Sequence, residues 1–339
     1  LLHLLATAVP PERLCAVHIH HGLSANADHW QARVEDYCRS LGVKLKTEAV
    51  EVTATGEGIE AAARSARYAV FERLLRQDGL LVLGHHGDDQ VETMLYQLLR
   101  GSGAKGLSGM PAQRPLGSGQ LIRPLLAVGR DQLQAYAKRQ KLSWVEDESN
   151  SEDKFDRNYL RKHVVPALAE RWPDYRQSIQ LSAEHSTEAE QLAETLAGED
   201  LCALDLREER AGWSICIEQL LELNDARQRN VQRHWPALCN LPRPNKKIIA
   251  EINRAVIQVR EDADPLLQWQ FMQWRRFQGR LYLLACSGTD FDSQQQYQWT
   301  LDHQSLDQVL QLSDSSQLIV EQTVGDGLVL APEQTLTIR

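Results

Sequence analysis

A parallel α/β domain followed by a smaller α+β domain is the fold class that this sequence predicts. Three observations predict it. Short apolar runs alternate with stretches of helical spacing through residues 1–145. The alternation stops after Asn150, where two helical stretches follow with no strand between them. Near the end of the second half, Gln278-Gly279 separates two strand-like runs, a hairpin signature. With 339 residues, the chain is long enough for two domains, each with its own core.

The elements follow in order. Residues 14–19 read as a buried strand. Ser24 is the expected cap of a helix over 25–41, whose Trp30, Val34, Tyr37, Cys38 and Leu41 share one face and which Gly42 ends. Residues 45–52 form a second strand. A helix over 58–77 turns Ile59, Ala62, Ala63, Ala66, Phe71, Leu74 and Leu75 inward. Residues 80–84 make a third strand, 88–100 a helix ended by Gly101, and 120–126 a fourth strand. A helix over 130–141 and a fifth strand over 143–145 complete the first half. Strands this apolar, joined by helices, imply a parallel sheet covered on both faces. Helices are expected over 158–170 and 175–196, then a strand over 213–217. Further helices span 226–235 and 246–259, the latter entered through Pro242-Arg243-Pro244-Asn245. The hairpin pairs 267–277 with 280–286. The expected organisation is a domain over 1–175, a helical linker over 176–200, an α+β domain over 201–290, a Gln-rich connection over 288–298, and the beginning of another domain over 299–339.

Composition narrows the functions. No apolar run approaches the ~18 residues of a membrane span, so no membrane partner is expected. The six cysteines form no C-x-x-C pair, which argues against zinc, iron–sulfur and dithiol chemistry and for reduced thiols in the cytoplasm. A net charge of −9 excludes a uniformly basic nucleic-acid binder. The charge is uneven, however. Residues 225–260 hold Arg227, Arg229, Arg233, Arg243, Lys246, Lys247, Arg254 and Arg260 against Asp225 and Glu251. Such a stretch can hold a polyanion or form a solvated helix face.

The chemistry concentrates at strand ends. The third strand empties into Gly84-His85-His86-Gly87-Asp88-Asp89-Gln90-Val91-Glu92-Thr93. Asp89 and Glu92 are three apart and Asp88 and Glu92 four apart, so they share a helix face. The helix N-terminus offsets part of their repulsion, and a bound cation or ammonium offsets more. An acidic first turn that only satisfies the dipole is the simpler reading. His20 and His21 follow the first strand, either to meet a nucleotide base or as a polar strand end. Arg64 and Arg67 are three apart on an apolar helix and suit phosphate oxygens; pairing with Glu60 is the competing reading. Gly101-Ser102-Gly103-Ala104-Lys105-Gly106-Leu107-Ser108-Gly109-Met110 reads as a flexible lid or a plain connection. Glu146-Asp147-Glu148-Ser149-Asn150 precedes Arg157-Asn158-Tyr159-Leu160-Arg161, either as a substrate site or as a salt-bridge cluster. Ligands of parallel sheets gather at the carboxyl ends of the strands, where His20, His21, His85, His86, Asp88 and Asp89 all fall.

In combination, residues 18–24, 63–68, 84–93, 101–110, 146–161 and Ile122-Arg123-Pro124-Leu125-Leu126 resemble the tRNA(Ile)-lysidine synthetase family of the N-type ATP pyrophosphatase superfamily. The resemblance implies an adenine nucleotide alpha hydrolase-like first domain and a ligase that forms a carbon–nitrogen bond. It implies ATP and Mg²⁺ as cofactors, with free L-lysine and an isoleucine tRNA bearing a CAU anticodon as substrates; a homodimer is left open. ATP adenylates the C2 oxygen of the wobble cytidine, and the lysine ε-amine then displaces AMP. By that resemblance Asp89 and Glu92 hold and deprotonate the amine, and Asp88 meets Mg²⁺ directly or through water. Arg64, Arg67, His20 and His85 bind ATP. Arg157, Asn158, Arg161, Arg229, Arg233, Lys246 and Lys247 contact tRNA. The family's S-G-G-x-D-S loop is expected immediately ahead of Leu1, and only the first strands of its C-terminal domain within the chain. The chain is therefore expected to be a fragment that binds ATP weakly. A tRNA thiolase of the same superfamily would need the missing cysteine pair, and a non-catalytic tRNA-binding fragment is the alternative from another class.

Overall fold

Apolar β-branched runs need a partner on each side, and amphipathic helices need a face to cover; the first half of the chain meets both demands at once. The computed structural model describes residues 1–22, 26–52, 59–145, 156–209, 212–260, 265–285, 297–300, 309–311, 317–319 and 335–338. The chain divides into two compact units, Leu1–Leu192 and Ala193–Arg339.

The first unit opens with α1 (Leu2–Ala8), β1 (Cys15–His20), α2 (Ala27–Ser40), β2 (Lys44–Ala49) and α3 (Ile59–Leu74). It continues with β3 (Leu80–Val82), α4 (Gly87–Leu99), the short α5 (Ala104–Leu107), β4 (Gln113–Leu116), β5 (Gly119–Ile122) and α6 (Arg130–Arg139). After the undescribed residues 146–155 come α7 (Asp156–Tyr159), a π-type turn (Leu160–Val164) and α8 (Val165–Arg171) in one run. The helix α9 (Tyr175–Ala203) begins in this unit, and all of the stretch 176–200, expected as a helical linker, lies within it.

Two parallel pairings form where one parallel sheet was expected. β1 runs beside β2 from Cys15↔Lys44 to His20↔Ala49, and β3 beside β5 from Leu80↔Gln120 to Val82↔Ile122. Among the described residues they belong to two hydrogen-bonded sheets, β1-β2 and β3-β5-β4, rather than one. One core nevertheless serves both. Phe71, Leu116 and Leu121 are buried in it, and Val17 and Ile19 of β1 pack there with Leu81 and Leu83. Each such side chain contributes about 1.5–3 kcal/mol on burial.

One strand was missed and one expected strand fails, each for a physical reason. β4 was not legible because Pro115 interrupts it; a proline fits there because β4 is bonded to β5 alone, at a sheet edge. The fifth strand over 143–145 does not form: Trp144 and Val145 are exposed and have no strand partner among the described residues. Ser24, the expected cap of α2, lies outside the described residues.

The glycine-rich connection is pinned. Gln90 donates from Nε2 to the Met110 carbonyl (3.1 Å) and accepts from the Met110 N–H at Oε1 (2.7 Å). Gly109 sits at φ +67, and a Cβ there would lie 2.8 Å from the Gln90 amide. Gly109→Ala is therefore expected to destabilise the unit by roughly 1–3 kcal/mol, read as a lowered unfolding midpoint.

In the second unit, β6 (Arg207–Glu209), β7 (Gly212–Cys216), α10 (Ile217–Glu222), α11 (Asp225–Leu238) and α12 (Lys246–Ile252) precede β8 (Leu266–Trp269), β9 (Met272–Phe277) and β10 (Arg280–Ala285). Five strands form an antiparallel sheet in the order β6-β7-β10-β9-β8. The expected strand over 267–277 breaks at Gln270, which adopts φ +52 and makes a second hairpin. Gln278 and Gly279 both adopt positive φ, as the two-residue turn between β9 and β10 requires. Asn224 and Asn245 cap α11 and α12, each accepting two backbone N–H groups. The core gathers Leu201, Leu204, Ile215, Leu220, Val231, Ile252, Met272 and Leu281 around Trp235 and Trp274, whose rings meet edge to face at 5.4 Å. Beyond it, β11 (Tyr297–Thr300) pairs with β14 (Thr335–Ile338), and β12 (Val309–Gln311) with β13 (Gln317–Ile319).

Candidate active site

The site begins where β3 ends. His86 is extended (φ −126, ψ −179) and caps α4, and its backbone N–H donates to Asp89 Oδ2 at 2.9 Å. This bond holds the Asp89 carboxylate on the first turn through Oδ2.

Asp88, one residue earlier, is held at both oxygens. Its Oδ2 accepts the Arg130 backbone N–H (2.7 Å) at the start of α6, and its Oδ1 accepts Arg176 Nε (2.9 Å). The Tyr175 hydroxyl approaches the same oxygen at 3.5 Å, and the Gly87 N–H bonds the Val128 carbonyl nearby. Asp88 thus ties α4 to α6 and to the start of α9. Asp88, expected to meet Mg²⁺ directly or through water, accepts a protein N–H donor at each oxygen in this geometry. Among the described residues no cluster of three or more His, Cys, Asp or Glu side chains could hold a metal ion.

Glu92 is 4% exposed, and both its oxygens are held by Arg161: Nε to Oε1 at 2.6 Å and an Nη to Oε2 at 2.9 Å. The same guanidinium lies 3.8 Å from Asp89 Oδ1. The hydrogen bond that Arg161 donates to Glu92 raises the Arg161 pKa further, against the opposing effect of burial. Arg161, expected to contact tRNA, is seated on the carboxylates in this structure. The pair Asp89–Glu92 binds a cationic N–H group, and of its oxygens Asp89 Oδ1 is the least committed.

A group of cations lies beside the carboxylates. Arg123, 3% exposed, donates from Nε to His85 Nδ1 (3.2 Å), from Nη1 to the Pro111 carbonyl (2.7 Å) and from Nη2 to the Tyr68 hydroxyl (3.4 Å). Arg64 also donates to the Tyr68 hydroxyl (3.3 Å), and the Arg64 and Arg114 guanidinium groups lie 4.9 and 5.2 Å from the Tyr68 ring centre. Burial and then repulsion from Arg64 lower the Arg67 pKa. The His85 pKa falls to about 4, first through burial, then through Arg123, with Arg64 and Arg67 adding to it and Asp89 opposing. Burial pushes the Tyr68 phenol up, but Arg64, Arg123 and Arg114 together bring it below its ordinary value.

The structure thus brings Asp88, Asp89, Glu92, His85, Arg64, Arg67 and Arg161 into one neighbourhood of the first unit. His20 is engaged elsewhere: its Nε2 lies 2.9 Å from Asp28 Oδ1 on α2. Arg157 is exposed and Asn158 buried. The acids of 146–150, and the side chain of Glu60, lie outside the described residues. In the second unit Arg229 is exposed and 3.8 Å from Asp225, Arg233 is half-buried, and Lys246 and Lys247 are exposed on the first turn of α12. Sequence reasoning assigned no role to Arg123 or Tyr68. Their signal was an arginine directly after an apolar strand, and a tyrosine one turn beyond Arg64.

No described helix is long and apolar enough to cross a membrane. Residues 1–168 match the family model of the PP-loop domain, and residues 215–282 that of the TilS substrate binding domain. The chain is 43% identical over 274 residues to a tRNA(Ile)-lysidine synthase of Coxiella burnetii, covering 80% of this chain and 60% of that protein. It is 45% identical over 287 residues to that of Serratia proteamaculans (84% and 65%) and 44% over 294 residues to that of Pseudomonas aeruginosa (84% and 66%). The chain thus spans a little under two thirds of the length of these relatives. Among solved structures, the U34-tRNA thiolase NcsA from Methanococcus maripaludis with its [4Fe-4S] cluster is 16% identical, with a TM-score of 0.42 over 52% of this chain and 62% of that one. With one family model on each unit and more than 40% identity to these synthases, the chain belongs to the tRNA(Ile)-lysidine synthase family.

Proposed function

We propose that this chain carries the catalytic and part of the tRNA-binding machinery of a cytoplasmic, ATP-dependent ligase that joins L-lysine to C2 of the wobble cytidine in a CAU anticodon. The observation that supports this reading best is the pair Asp89–Glu92, which grips a guanidinium beside a group lined by hydrogen-bond donors. A lysine ammonium is a cation of the same class as the Arg161 head group. A phosphate chain is the natural complement of Arg64 and Arg67.

The chemistry divides between the two sides. C2 of cytosine resists an amine until its oxygen becomes a leaving group; adenylation by ATP supplies that, with release of pyrophosphate. The guanidinium groups of Arg64 and Arg67 take up the phosphate charge. Asp89 Oδ1 receives the lysine ammonium, orients it and accepts its proton as the amine attacks C2 and AMP departs. Glu92 acts through Arg161, whose guanidinium it fixes against the acidic turn. The target base lies in a single-stranded loop, so bringing it out of the stack costs little. Mg²⁺ bound with ATP would neutralise phosphate charge, and Asp88 would hold it directly or through water.

Exposed Lys246 and Lys247 serve as phosphate contacts for the tRNA backbone. The double variant Lys246→Glu, Lys247→Glu is expected to weaken tRNA binding and to flatten its salt dependence, with a slope of log K on log salt reduced by roughly 1–2. Filter binding between low and physiological salt checks this. The function itself is tested by incubating the intact protein with ATP, labelled lysine and transcript isoleucine tRNA. Lysine-dependent label in the anticodon with stoichiometric pyrophosphate supports the reading. Pyrophosphate release that never transfers lysine contradicts it.

A further inference from the structure

We propose that Arg123 is a positioning residue that locks the His85 imidazole with Nδ1 as acceptor and Nε2–H as donor, so that His85 meets a phosphate-bearing ligand as a neutral donor. The phosphate part of this inference rests on the reading of the site as a nucleotide site; the tautomer does not.

Every arm of the Arg123 fork is committed. It is buried, and its three bonds go to the His85 ring, the Pro111 carbonyl and the Tyr68 hydroxyl. An Nε–H donated to Nδ1 requires the imidazole lone pair at that nitrogen, so the ring proton must sit on Nε2. Nε2–H has no partner among the described residues. The charged groups that face the ring come from three elements: Arg123 just beyond β5, Arg64 and Arg67 on α3, and Asp89 on α4. Three cations outnumber one carboxylate, and burial works in the same direction, holding the ring neutral down to about pH 4. Tyr68 repeats the pattern. Its oxygen accepts from Arg64 and Arg123, which leaves its single O–H to donate outward. The result is a lining of two neutral donors set among guanidinium groups, with Asp89 the one carboxylate facing it. An oxyanion satisfies such a lining; a neutral amine or a cation does not.

The test is nitrogen NMR of the 15N-histidine-labelled protein, with the His85 resonances assigned by their loss in His85→Gln. The expected spectrum shows a bare Nδ1 and a protonated Nε2 from pH 5.5 to 8, with no titration in that range. Inorganic pyrophosphate is expected to move the Nε2 signal. In Arg123→Met the ring is expected to titrate at least one pH unit higher, nearer its ordinary ~6.5, and to mix tautomers. Arg123→Lys is expected to behave like Arg123→Met, because an ammonium lacks the three-way fork. A protonated Nδ1 in the parent protein, titration of His85 above pH 5.5, or no response to pyrophosphate would overturn the proposal. Beyond the assignment through His85→Gln, the parent spectrum needs no substitution and no turnover. It therefore stands or falls separately from the folding of the variants and from lysidine formation.

Discussion

Asp89→Asn is expected to lower lysine-dependent turnover by roughly 10²- to 10⁴-fold, the range over which a general acid–base group acts. The substitution keeps the shape of the side chain, and its remaining carbonyl oxygen can still accept the His86 N–H that closes the cap of α4. Folding should change by no more than about 1 kcal/mol, the worth of a cap. What disappears is the negative charge at Oδ1, the one carboxylate oxygen of the acidic turn not already held at hydrogen-bond distance. An ammonium then loses its counter-charge and the amine its proton acceptor, so kcat falls and KM for lysine rises together. Steady-state lysine titrations at saturating ATP and tRNA measure both. Glu92→Gln should behave differently. It weakens the bidentate hold on Arg161, and its effect should appear in stability as well as in rate.

Trp274→Ala should lower the stability of the second unit by about 3–5 kcal/mol, the usual cost of deleting a fully buried aromatic side chain. Trp274 is the centre of that unit's core. It stands on β9, opposite Leu283 of β10 in register, and meets the Trp235 ring of α11 edge to face at 82°. The cavity cannot close readily, because the sheet on one side and α11 on the other are each fixed by their own hydrogen bonds. Calorimetry should show a transition lowered by on the order of 10 °C, with the first unit unaffected. Trp274→Phe should recover much of the loss.

What was legible in the sequence were features of short range. Apolar period and glycine stops located β1, α2, α3, β3 and α4 to within a few residues, and the three-residue spacing placed Asp89 and Glu92 on one face. The hairpin turn at Gln278-Gly279 was equally local. What was hidden depends on partners far along the chain. Arg161 reaches back 69 residues to Glu92, Asp88 caps a helix 42 residues away, and Arg123 orients a histidine 38 residues earlier. A carboxylate in an acidic cluster looks the same in sequence whether or not protein donors already meet it, so the bonds of Asp88 to the start of α6 and to Arg176 were hidden. Pro115 concealed β4 because propensity speaks against a strand, and only the edge position makes it harmless.

The central claim is that Asp89 serves the amine and the arginine side serves the phosphates. Single turnover of the intact Asp89→Asn protein with labelled tRNA separates the two. The claim predicts stoichiometric pyrophosphate release, accumulation of adenylated tRNA and almost no lysidine. Lysidine formed at the parent rate, or pyrophosphate release abolished along with it, would contradict the claim.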